Sequence, residues 1–76
     1  MADADIPGDW IVVNGERRPL PPEGALLALL RSLDIAPEAR GVALAVNDEL
    51  LPRGGWPAQR LRPGDRVEVV RAVQGG

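Results

Sequence analysis

The chain has 76 residues, of which 45% are hydrophobic and 26% charged, and its formal net charge is −2. So short a chain buries only roughly 60% of the surface that its unfolded form exposes, which excludes two domains or a deep active-site cleft. Its arginines are dispersed among eleven acidic residues, a pattern that argues against a nucleic-acid or anionic-membrane surface.

Three residue types that carry much enzyme chemistry are absent: cysteine, histidine and lysine. Without them there is no disulfide, thiolate metal site, imidazole base or Schiff base. The composition therefore predicts a chain that is not itself an enzyme and holds no metal. No apolar run reaches membrane-spanning length and no signal peptide is present, so the expected location is the cytoplasm.

The distribution of charge and hydrophobic periodicity divides the chain into three segments. Residues 1–8 are small, acidic and without periodicity, which predicts a disordered leader. Residues 9–73 carry the periodic elements of one domain. Residues 74–76 are predicted to form a flexible C-terminal tail.

The domain opens with a predicted β-hairpin. The β-branched run from Trp10 leads into Asn14-Gly15, a pair that accepts the positive φ angles of a type I′ turn, so the first strand should end at Asn14. The return strand over residues 16–20 contains Pro19, which cannot donate to a ladder. It is therefore expected at a sheet edge.

A short amphipathic helix should follow the loop over residues 21–24. Its leucines recur with helical spacing, and Pro37 predicts that the helix stops near Asp34 after about ten residues. A helix this short needs a sheet to pack against. The leucine positions of its stripe are Leu26, Leu29, Leu30 and Leu33, widened by Leu27.

Three further strands are predicted. Residues 41–46 alternate large and small apolar side chains as in a central strand, and a turn at Asn47-Asp48 leads into a brief strand at Leu50-Leu51. An irregular stretch over residues 53–61 follows, and then a final strand over residues 66–73. Buried positions expected in these last two segments are Trp56, Leu61, Val67 and Val69.

The order of elements is hairpin, helix, strand, short strand, strand. One helix covering one face of a mixed sheet of four to five strands is an α+β roll, and pairing the first and last strands in parallel at its centre gives the β-grasp, or ubiquitin-like, arrangement.

Two features bear on function. The terminal Gly75-Gly76 lacks Cβ atoms, so an extended tail could thread a narrow channel and present its carboxylate, although a frayed terminus also fits. Val12 and Val70 are expected on the uncovered sheet face, as a partner patch or as ordinary exposed valines. By contrast, Arg53 and Trp56 are expected to fix a loop.

Several segments occur together in a specific order: residues 12–16 (VVNGE), the leucine-rich helix, residues 41–47 (GVALAVN), Leu51-Pro52-Arg53 with Trp56, Gly64-Asp65, residues 67–69 and the final Gly75-Gly76. In these segments residues 11–76 resemble the ThiS family of sulfur carrier proteins.

This resemblance implies a protein substrate for other enzymes. Gly76 would carry the acyl adenylate and then the thiocarboxylate, with Gly75 and Gln74 presenting it. The partners would be an E1-like adenylating enzyme of the ThiF type, a thiazole synthase of the ThiG type and a sulfur-donor enzyme. ATP and magnesium would be used by the activating partner, with no cofactor bound to this chain, which would act as a monomer.

Other functions remain open at this point. A MoaD-like carrier for molybdopterin, or a carrier for another sulfur pathway, would share the same tail chemistry. A ubiquitin-like modifier would use the activated Gly76 to form isopeptide bonds, and an interaction module would have no tail chemistry at all.

Overall fold

A computed structural model describes residues 9–72 of the chain. The predicted leader, the last residue of the predicted domain and the tail with Gln74, Gly75 and Gly76 therefore lie outside the described residues, and those predictions stay predictions. The elements in chain order are β1 (Trp10–Val13), β2 (Glu16–Pro19), a 3₁₀ turn (Pro22–Gly24), α1 (Leu26–Ser32), β3 (Val42–Val46), β4 (Glu49–Leu51), a second 3₁₀ segment (Arg53–Ala58) and β5 (Arg66–Arg71).

The five strands form one mixed sheet in the order β2-β1-β5-β3-β4. β1 and β5 pair in parallel, with Val13 opposite Val67, while the pairs β1–β2, β3–β4 and β3–β5 are antiparallel. This confirms the predicted β-grasp arrangement, with β1 and β5 at the centre and β2 at an edge.

The strand bounds differ slightly from those predicted. β1 ends at Val13 because Asn14 and Gly15 both have positive φ, 49° and 84°, and form the turn themselves. β2 ends at Pro19, and β5 ends at Arg71. β3 begins at Val42, one residue later than predicted, and β4 begins at Glu49, one residue earlier. None of these differences changes which faces the side chains occupy.

Helix α1 has seven residues where about ten were expected. It ends early because Asp34 adopts a left-handed φ of 63°. The Asp34 N–H bonds the Arg31 carbonyl at 3.0 Å and the Ile35 N–H bonds the Leu30 carbonyl at 2.9 Å, the two bonds of a Schellman motif. The motif reverses the chain and returns Ile35 to the core.

The core lies between α1 and one face of the sheet. Its buried members include the predicted Trp56, Leu61 and Val67, and also Ile35, which the sequence analysis did not single out. The full set is Ile11, Val13, Leu26, Leu29, Leu30, Ile35, Leu44, Trp56, Leu61 and Val67. Val69 packs against this cluster from the sheet, as predicted. Over residues 9–72, no helix has the length and apolar character needed to cross a membrane.

Candidate functional site

The base of the C-terminal tail is the part of the predicted site that the structure describes. Gln74, Gly75 and Gly76 lie beyond the described residues, but β5 and Ala72, which lead to them, are well defined by their partners. Ala72 donates its N–H to the carbonyl of Gly41 at 2.6 Å, one residue past the last β3–β5 pair, Val42 and Arg71. The last described residue, Ala72, is therefore held by a backbone hydrogen bond at the end of a central strand.

Two turn asparagines brace β5 from opposite sides. Asn14, in the β1–β2 turn, accepts the Val69 N–H at 2.8 Å and donates its side-chain amide to the Val69 carbonyl at 3.2 Å. Asn47, in the β3–β4 turn, accepts the Arg66 N–H at 2.9 Å through its side-chain oxygen. Because an asparagine amide both donates and accepts, the Asn14 side chain can stand in for a strand residue. Asn47 donates its amide instead to the Asp65 carboxylate, at 3.0 Å. β5 is thus held beyond the ends of its neighbouring strands.

The sequence analysis interpreted Asn14-Gly15 only as a turn, and it missed this bracing role. The available signal was the choice of asparagine in both predicted hairpin turns, at Asn14 and Asn47. Aspartate would also have tolerated the positive φ but has no amide to donate when ionised.

A cleft lies on the helix side of the exit end of β5. It has a volume of about 340 Å³, and Val13, Leu33, Ile35 and Val69 supply its apolar walls. Its charged members include Glu16, Arg18 and Arg71. The mixture of both charges with apolar walls suits contact with another protein surface more than the binding of one small ion.

Val12 and Val70 share the sheet face that α1 leaves uncovered, as predicted. They line one groove of about 460 Å³ together with the charged side chains of Arg66 and Glu68. Val70 is 60% exposed, whereas Val12 is half-buried. Val70 is therefore the more prominent apolar group of the pair.

The sequence analysis missed Leu50 on the same face. Leu50 is 72% exposed, and it lies opposite Ala45 on β3, while Val70 lies opposite Ala43. Alternation along β3 sends both alanines to the uncovered face. Leu50 and Val70 thus flank a shallow floor of small side chains, and the two-residue turn at Asn47-Asp48 carried the register that could have predicted it.

Arg53 and Trp56 fix a loop, as expected. The Arg53 guanidinium donates to the carbonyls of Pro37 and Ala39, at 2.7 Å and 2.5 Å, and lies 4.2 Å from the centre of the Trp56 ring. Trp56 is 2% exposed and donates its indole N–H to the Leu51 carbonyl at 3.1 Å. The Trp56 indole and two guanidinium nitrogens of Arg53 are thus bonded to backbone carbonyls of the surrounding loops.

Residues 9–72 contain no group of three acidic, histidine or cysteine side chains placed to hold a metal ion. The described residues instead supply a central strand held on both sides, a hydrogen-bonded Ala72 before the tail and an uncovered apolar face beside it.

Comparison with known proteins gives a consistent result. The model of the ThiS family matches residues 11–76. The chain is 43% identical over 68 residues to a protein named Sulfur carrier protein ThiS from Thermus thermophilus, a match covering 88% of this chain and 97% of that one. The crystal structure of a thiamine biosynthesis protein (ThiS) from Geobacter metallireducens is similar with a TM-score of 0.69 and 29% identity, over 88% of this chain and 99% of that chain.

A third relative is much longer than this chain. It is a protein named Thiazole synthase from Paramagnetospirillum magneticum, 32% identical over 66 residues. The match covers 87% of this chain but only 20% of that protein.

Proposed function

Because this chain belongs to the ThiS family, we propose that it acts as the sulfur carrier of thiamin biosynthesis and carries the sulfur on the carboxyl group of Gly76. The observation that carries this proposal is the family match, which runs to residue 76 and so includes Gly75-Gly76. The central position of β5 and the anchored Ala72 support it, because they hold the start of the tail in one place.

The proposed chemistry needs one functional group of the carrier, the carboxyl group of Gly76. A carboxylate oxygen of Gly76 attacks the α-phosphorus of ATP and pyrophosphate leaves, which gives an acyl adenylate. A sulfur nucleophile at the oxidation level of sulfide then attacks the acyl carbon, AMP leaves, and the C-terminus becomes a thiocarboxylate. The carrier supplies only the carboxyl group, which fits a chain without cysteine, histidine or lysine. Gly75 and Gln74 present that group to the partner.

The acceptor of the sulfur in this proposal is a thiazole synthase of the ThiG type. In the relative from Paramagnetospirillum magneticum, the similar segment forms about a fifth of a protein named Thiazole synthase. A carrier-like domain joined to an enzyme in one chain supports an association between the two proteins when they are separate. We place the reaction in the cytoplasm, where ATP is available, and expect a monomer because the carrier must pass between partners.

The activating partner in this proposal is an E1-like enzyme of the ThiF type, which binds the ATP and magnesium. We assign its docking to the uncovered sheet face, with Val70 and Leu50 as the main apolar contacts and Val12 at the edge of the same groove. Exposed apolar side chains around small alanines form a surface that loses little conformational entropy when a partner covers it.

Intact-protein mass spectrometry tests the proposal. The chain is incubated with ATP, magnesium, sulfide and the E1-like enzyme of the same organism, and the expected mass gain is that of one oxygen replaced by sulfur. Deletion of Gly76 should abolish the gain while the melting temperature stays unchanged, because a glycine has no side chain to contribute to an apolar core. Gly75→Val should fold normally but slow pyrophosphate release, since a β-branched residue stiffens the tail and adds bulk.

The same experiment separates the rival functions. Addition of the thiazole synthase should consume the thiocarboxylate, and a thiocarboxylate that this enzyme ignores would favour a carrier for another sulfur pathway. Covalent conjugates to other proteins would favour a modifier. A native chain that no cognate E1-like enzyme activates would contradict the carrier function and favour an interaction module.

A further inference from the structure

The last described backbone contact before the tail joins two residues far apart in the sequence, Gly41 and Ala72. The Ala72 N–H donates to the Gly41 carbonyl at 2.6 Å and extends the β3–β5 ladder by one residue. Four residues follow Ala72 in the chain, and fully extended they span at most about 14 Å. The carboxyl carbon of Gly76 therefore cannot be more than about 14 Å from Ala72.

Ala72 can approach Gly41 this closely because Gly41 has no side chain. Its φ is +72°, a conformation that other residues adopt at a cost. A Cβ added at Gly41 would lie 3.2 Å from the Cβ of Ala72, tighter than ordinary van der Waals contact, and 3.9 Å from its backbone nitrogen. Any larger residue at position 41 would push Ala72, and with it the start of the tail.

We propose that Gly41 is a positioning residue for the activation of Gly76: its carbonyl and its missing side chain fix the point from which the tail enters the activating enzyme. This inference rests on the proposed function. If the contact is lost, the free segment lengthens toward Arg71, and its end samples a larger volume around the reacting phosphorus. Among the described residues other than the chain neighbours of Gly41, only Ala72 has an atom within 4 Å of a Cβ added there, and neither Val70 nor Leu50 has one. Docking through these two side chains should therefore be unaffected.

The first experiment compares Gly41→Ala with Gly64→Ala in the pyrophosphate-release assay. Gly64 is a matched control because its φ is +88°, it lies in the turn before β5, and nothing stands within 4 Å of an added Cβ. Both variants carry the backbone strain, but only Gly41→Ala disturbs Ala72. We expect kcat to fall at least about threefold for Gly41→Ala relative to Gly64→Ala, with KM for the carrier unchanged, because small misplacements of a reacting group slow catalysis strongly.

A second variant removes the obstruction. In Gly41→Ala/Ala72→Gly the Cβ atom that the new methyl group meets is gone, so kcat should recover toward the Gly64→Ala value. Two further variants keep Gly41 intact, in case Gly41→Ala unfolds below the assay temperature. Ala72→Pro deletes the N–H donor and should lower kcat, while Ala72→Gly retains the donor and should have the higher kcat of the two.

Amide hydrogen exchange reports the contact without any partner enzyme. The Ala72 amide should be protected in the native chain and should exchange faster in Gly41→Ala. Equal kcat for Gly41→Ala and Gly64→Ala, or an effect on KM alone, would overturn the inference. A native chain that is never activated would instead contradict the proposed function, and with it any role of Gly41 in activation, even where Ala72 is protected.

Discussion

The side chain of Asn14 exchanges two hydrogen bonds with the backbone of Val69, accepting its N–H at 2.8 Å and donating to its carbonyl at 3.2 Å. The Asn14 backbone N–H bonds the Val67 carbonyl at 2.9 Å, and its side chain then bonds Val69, two residues further along β5. The side chain thus continues the ladder one step beyond the backbone. This allows a tight hairpin turn and a well-held β5 in the same region.

The first prediction is that Asn14→Gly lowers the free energy of unfolding by about 1 to 2 kcal/mol, because it removes both hydrogen bonds but keeps the positive φ of the turn. Asn14→Asp, which keeps the acceptor and loses the donor, should show an intermediate loss. Urea denaturation followed by circular dichroism measures all three proteins. Unchanged stability of Asn14→Gly would mean that the bonds to Val69 contribute nothing.

The second prediction concerns the leucine stripe. Leu30 has no exposed surface, so Leu30→Asp buries a carboxylate at a cost of several kcal/mol. Against a total stability of roughly 5 to 8 kcal/mol, this should unfold the domain. Arg31→Asp puts the same side chain on the exposed part of α1 and should cost less than about 1 kcal/mol. Circular dichroism distinguishes the two, and a cooperatively folded Leu30→Asp protein of native stability would contradict the described packing of the helix.

Local patterns were sufficient to predict the strand segments and the faces of most side chains. The order of the strands also required the assumption that the first and last strands pair in parallel. Leucines with helical spacing identified the buried side of α1, and alternation over residues 42–46 separated Leu44 from Ala43 and Ala45. These features depend on residues close together in the sequence. Period and turn chemistry are sufficient to predict them.

The missed features depend on neighbours that are distant in the sequence. Asn14 meets Val69, and Gly41 meets Ala72, only after the sheet has formed. The residues next to Asn14 and Gly41 give no sign of these contacts, so periodicity alone cannot predict them. Leu50 differs, because its partner Ala45 is close in the sequence and the turn between them sets the register.

The third prediction concerns the end of α1. Asp34 has a φ of 63° at the position where glycine is preferred in a Schellman motif. Asp34→Gly should therefore raise the free energy of unfolding by about 0.5 kcal/mol, because relief of the strain exceeds the entropy that glycine adds to the unfolded chain. Ala36→Gly is the control: Ala36 has no positive φ, so introducing a glycine there should lower the free energy of unfolding. Thermal unfolding measures both variants, and a destabilised Asp34→Gly protein would contradict the account of the helix end.

The last prediction concerns the uncovered sheet face. Val70→Glu and Leu50→Glu should each weaken binding to the activating enzyme by about tenfold or more, because a charge is placed where an apolar contact loses its water. Both side chains are largely exposed, at 60% and 72%, so neither change should alter the melting temperature by much.

Ala58→Glu adds the same charge to an exposed position of the second 3₁₀ segment, which packs beside α1 on the other side of the molecule, and should bind normally. Titration calorimetry measures the three affinities. Equal weakening by all three variants would indicate a general charge effect. Native affinity of both Val70→Glu and Leu50→Glu would show that the enzyme does not dock on the uncovered face. It would favour docking at the cleft beside Arg18 and Arg71 at the exit end of β5.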